Sequence, residues 1–61
     1  MTGKELIKLL EKNGWKMVDI NGSHHKLKHP ANPISLTVPA HGSKDLKKGT
    51  LIAILKQAGL K

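Results

Sequence analysis

Two adjacent histidines, His24 and His25, follow Asn21-Gly22-Ser23, and Lys26, Lys28 and His29 come directly after them. Imidazole is the side-chain type that ordinarily changes charge near neutral pH, so a histidine here can take up or release a proton. Lysines beside it can offset charge developing on phosphoryl oxygens. RNA carries its own nucleophile, the ribose 2′-OH. A nuclease that moves protons and stabilises phosphate charge therefore needs no metal. The residue types point to His24 as general base or acid, worth roughly 10²–10⁴-fold, with Lys26 and Lys28 as phosphate contacts. The second proton-transfer group is not identified by the sequence.

The choice between the two histidines rests on the strand that must carry them. Asn-Gly between two strand-like runs is a strong hairpin signal, expected here as a type I′ turn. Neighbouring side chains on a strand point to opposite faces. Leu27 is the one large apolar residue of the run Ser23 to Lys28, so it marks the packed face. His25 and His29 share that face, while His24, Lys26 and Lys28 share the open one. Gly22, Ser23 and His25 are then the supporting neighbours of His24, with Gly22 allowing a tight turn and a close approach of RNA. His29, before Pro30, reads as a strand-end residue, and His41 as an incidental surface histidine rather than an RNA contact.

Four histidines also raise the question of a metal. His25 and His29 lie about 13 Å apart along a strand at roughly 3.3 Å per residue. Ligands of one ion lie about 2 Å from it, so these two cannot share one. The four carboxylates, Glu5, Glu11, Asp19 and Asp45, are scattered. No metal site and no cofactor is expected.

Composition bounds the partners. The 61-residue chain has eleven lysines, no arginine and a formal charge of +7, a balance that suits a polyanion. Without arginine, bidentate recognition of phosphate or guanine is excluded. Trp15 is the only aromatic residue besides the histidines, which disfavours stacking of successive single-stranded bases. Lysine contacts to phosphate remain, and Lys44, Lys47 and Lys48 join Lys26 and Lys28 as candidate RNA-binding residues. With no cysteine, no signal-peptide core and no apolar run of membrane-spanning length, a cytoplasmic module is expected rather than a secreted or membrane one.

The elements that position these residues can be read in order. Thr2-Gly3-Lys4-Glu5 is a capping box before a helix whose stripe is Leu6, Ile7, Leu9 and Leu10. Gly14 ends it as a left-handed residue, and Trp15 folds back onto Leu10 as a core anchor. Lys16 to Ile20 forms a first strand, in which Val18 and Ile20 share a face and Met17 points with Asp19. The second strand runs from Ser23 to Lys28, and Pro30, Asn32 and Pro33 form a loop. Ile34, Leu36 and Val38 alternate with Ser35 and Thr37 in a third strand, which Pro39 stops. After the basic segment from Ala40 to Gly49, Thr50 is the expected N-cap of a last helix, although its start could lie a turn earlier. Leu51, Ile52, Ile54, Leu55 and Ala58 face its core, and Gly59-Leu60 repeats the ending at Gly14-Trp15. The expected fold is one small α+β domain: helix, three-stranded antiparallel sheet, helix, with both helices on one face.

Taken together, G-S-H-H at Gly22 to His25, T-V-P at Thr37 to Pro39, G-T at Gly49-Thr50 and I-L-K-Q-A-G-L at Ile54 to Leu60 resemble the HicA toxin family. The early G-W at Gly14-Trp15 extends the resemblance over nearly the whole chain. It implies a fold similar to a double-stranded-RNA-binding domain. It also implies a ribosome-independent mRNA interferase, the toxin of a type II toxin–antitoxin pair, with mRNA as substrate and a HicB-type antitoxin as partner. The family's catalytic histidine, carried over to the G-S-H motif, is His24. Lys47 stands where many members have proline, a departure that bears on the start of the helix. The alternative class of function is a non-catalytic RNA-binding module, in which His24 only contacts the backbone.

Overall fold

A computed structural model describes residues 1–60. The order is α1 (Gly3–Lys12), β1 (Lys16–Asn21), β2 (His24–His29), β3 (Asn32–Pro39) and α2 (Lys48–Gln57). The strands form one antiparallel sheet in the order β1-β2-β3, the expected architecture. Leu6, Ile7 and Leu10 from α1, Trp15, Leu27, Leu36, Val38 and Ile54 make the buried core. It fills the space between the sheet and the two helices. None of the described helices is long and apolar enough to cross a membrane.

Local chemistry sets the helix ends. Glu5 N–H donates to Thr2 Oγ1 at 3.2 Å while Thr2 N–H donates to Glu5 Oε1 at 2.9 Å, a complete capping box. The bond from the Thr2 N–H, and after it hydrogen bonding of the Thr2 hydroxyl to the carboxylate, hold the exposed Glu5 carboxyl below its ordinary pKa. At the other end Trp15 N–H donates to the Leu10 carbonyl and Gly14 N–H to that of Glu11. The same pair of bonds recurs at Leu60 and Gly59, received by Leu55 and Lys56. Both helices thus end in the Schellman arrangement, and Trp15 is buried.

The sheet corrects four local expectations. The loop of the first hairpin is Gly22-Ser23, not Asn21-Gly22, because Asn21 still pairs with His24. Gly22 has φ +62°, and among the described residues only glycines have positive φ. The turn therefore follows the glycine-first pattern of type II′ rather than I′. Next, β1 carries a bulge: Met17 pairs with Leu27 but Asp19 with Lys26, leaving Val18 as the extra residue. Met17 and Ile20 therefore share the face of Leu27 and His25, and Asp19 turns to the open face. Third, β3 begins at Asn32, two residues before Ile34, since His29 pairs with Asn32 across Pro30-Ala31. Pro33 is tolerated there because β3 is an edge strand. Finally, α2 starts at Lys48 with Lys47 as N-cap and no side-chain cap, so Thr50 lies inside the first turn.

Candidate functional site

The bulge lies on β1 and leaves the alternation of β2 intact. Along β2, His24, Lys26 and Lys28 are exposed, His25 and His29 are half-buried, and Leu27 is buried. The open face therefore carries His24, Lys26 and Lys28 in a row. Thr37 faces Lys26 and Ser35 faces Lys28 from β3. On the other side, Asn21 pairs with His24, Asp19 with Lys26 and Lys16 with Lys28. Asp19, Asn21, His24, Lys26 and Thr37 together line a shallow depression of about 230 Å³.

The two histidines of the packed side are occupied with structure. His25 Nδ1 lies 3.1 Å from Met17 Sδ, and a thioether can only accept. His29 accepts from the Ala31 N–H at Nδ1 (2.9 Å) and donates from Nε2 to the Asn13 carbonyl (3.0 Å), which fixes its tautomer. Its ring also meets Trp15 edge-on at 5.3 Å. In this way His29 satisfies a carbonyl at the C-terminus of α1 and ties that helix to the end of β2.

His41 is the residue that a reading of the sequence sets aside and the fold brings into the site. Its ring centroid lies 6.4 Å from that of His24, with the planes at 82°, and both side chains are exposed. The cause is the pairing register. His24 faces Pro39 across the sheet, and His41 follows only two residues beyond Pro39. The Ala40 N–H donates to the Ser23 carbonyl at 2.7 Å, joining the loop after β3 to the turn before His24. From the other side, α1 packs so closely on this loop that a Cβ on Gly3 would lie 2.5 Å from the Pro39 carbonyl oxygen. Leu46 N–H donates to the Met1 carbonyl, and the Met1 amino group lies 3.3 Å from Asp45. The loop bearing His41 is thus anchored at Ala40, Asp45 and Leu46.

The remaining candidate lysines divide. Lys44 and Lys47 line, with Pro39, His41, Asp45, Leu46 and Thr50, a second cleft of about 270 Å³. Lys48 is exposed at the start of α2 and lines neither depression. Lys16 and Asp19 are open-face residues that sequence reasoning missed. The imperfect alternation of Lys16 to Ile20 is the one trace of the bulge that puts Asp19 there. Among the described residues, no group of three or more His, Cys, Asp or Glu is placed to hold a metal ion.

An α+β domain with a histidine-bearing, lysine-lined sheet face is the class that the geometry defines. Residues 3–60 match the family described as "HicA toxin of bacterial toxin-antitoxin", and the chain belongs to the HicA toxin family. It is accordingly a toxin of a toxin–antitoxin system. A comparison with curated proteins gives no significant match.

Proposed function

We propose that this toxin is an mRNA interferase, a metal-independent endoribonuclease acting in the cytoplasm by histidine acid–base catalysis. The observation that carries the reading is the position of His24. It stands exposed at the head of the row that contains Lys26 and Lys28, on the sheet face opposite the core. A phosphodiester laid along this face meets a proton-transfer group and cations together. The direct pairing of Lys16 with Lys28 strengthens the argument, since like charges facing each other across a sheet repel. A polyanion relieves that repulsion. Lys44 and Lys47 extend the basic surface past His41.

The antitoxin is proposed to be of HicB type. It covers His24 and sets carboxylates against the lysines, so inhibition works by masking. Co-purification of a carboxylate-rich partner that protects His24 from solvent tests this step.

The activity itself is tested by incubating pure protein with a defined RNA in EDTA and mapping the ends. Cleavage that leaves 2′,3′-cyclic phosphate and 5′-hydroxyl ends is expected. Retained binding without cleavage would instead make the domain a non-catalytic RNA-binding module.

A further inference from the structure

We infer that His41 is the second proton-transfer group of the site, the acid that protonates the leaving 5′-oxygen while His24 takes the proton from the 2′-OH. The inference rests on the nuclease reading above and adds to it a residue and a direction for the RNA.

In phosphoryl transfer the attacking and leaving oxygens lie on opposite sides of phosphorus, roughly in line. One group cannot serve both at once. A site without a metal therefore gains from a base on one side and an acid on the other, each within about 2.6–3.2 Å of its oxygen. His24 and His41 offer this arrangement. Their rings are 6.4 Å apart in an edge-to-face arrangement, close enough for both to reach oxygens of a single phosphate set against them. Neither ring is buried, whereas His25 and His29 are engaged with Met17, Ala31 and Asn13.

The two depressions give the direction. His24 lines the one that contains Asn21, Lys26 and Thr37, which takes the nucleotide bearing the attacking 2′-OH. His41 lines the other, with Lys44, Lys47 and an Asp45 that is paired with the Met1 amino group, and this one takes the nucleotide on the leaving side and its next phosphate. The step balances without water or redox change. The O2′–P bond forms and the P–O5′ bond breaks. The 2′-OH proton goes to neutral His24, and a proton passes from His41 imidazolium to O5′. The products are a 2′,3′-cyclic phosphate and a 5′-hydroxyl, and the two rings regain their starting states by exchange with solvent.

The test compares ordinary RNA with the same RNA carrying a 5′-bridging sulfur at the cleaved linkage, because a thiolate leaves without needing a proton. Wild type, His24→Ala, His41→Ala and His41→Gln are assayed on both, with melting curves to verify folding. His41→Ala and His41→Gln are expected to lose roughly 10²–10⁴-fold on ordinary RNA and to approach the wild-type rate on the sulfur-containing RNA. His24→Ala is expected to stay slow on both. A wild-type rate for folded His41 variants on ordinary RNA overturns the inference. So does an equal loss on both substrates, or rescue of His24→Ala instead. A wild-type protein that cleaves neither RNA fails the nuclease reading itself, an outcome distinct from all the others.

Discussion

The imidazole of His29 occupies the space that a side chain on Gly14 would need: a Cβ there would lie 2.6 Å from His29 Nε2. Gly14 also has φ +94°, a conformation that costs a residue with a side chain of order 1–3 kcal/mol. Gly14→Ala is therefore expected to destabilise the fold by at least that amount. His29→Ala removes the bond to Asn13, the bond from Ala31 and the contact with Trp15, for a loss of about 1–3 kcal/mol. Thermal melts measure both, at roughly 4–8 °C per kcal/mol for a domain of this size. An unchanged midpoint in either variant contradicts the structural role given to His29.

Salt should weaken RNA binding steeply, because each lysine–phosphate contact releases counterions. Lys26→Ala and Lys28→Ala are each expected to weaken binding alike across RNA sequences. Each should lower the salt slope by about 0.7 for single-stranded RNA. Titrations at several salt concentrations read this. Loss confined to one RNA sequence would mean that these lysines read bases instead.

Acid should loosen the start of α1. The hydrogen bonds from Thr2 hold Glu5 below its ordinary pKa of 4.5. Its contribution is therefore fully present above that value and is lost as pH falls through the lower, folded value. Glu5→Gln should flatten this part of the stability profile, while Thr2→Ala costs about 1 kcal/mol at neutral pH. Melts from pH 7 down to pH 3 on wild type and both variants check the sign. A Glu5→Gln protein with undiminished acid sensitivity below pH 4.5 would assign it to other groups.

Most of the architecture is legible because its signals are local. The Thr2-Glu5 box, the Gly14-Trp15 and Gly59-Leu60 endings and the position of Leu27 each follow from residues within one or two turns of chain. The faces of His24 and His25 are legible for the same reason, since strand alternation carries them outward from Leu27. The bulge at Val18 is not, because it depends on which residues of β2 lie opposite. Nor is the start of β3, where pairing across Pro30-Ala31 overrides the turn signal of Pro33. His41 is the clearest case. Its nearness to His24 requires knowing that Pro39 faces His24 and that Ala40 bonds Ser23. No short window of sequence contains that information.

On the proposed reading His24 performs chemistry while His25 performs packing, although the two are adjacent in sequence. The most direct measurement is the cleavage rate of one RNA by folded His24→Ala and His25→Ala, each with its melting curve. His24→Ala should lose roughly 10²–10⁴-fold in rate with stability within about 0.5 kcal/mol of wild type and RNA binding retained. His25→Ala should lose the contact with Met17 and about 0.5–1.5 kcal/mol of stability, with cleavage falling only as the folded fraction falls. Full activity in folded His24→Ala, with cleavage abolished in folded His25→Ala, would contradict the account and place the chemistry on the other face of β2.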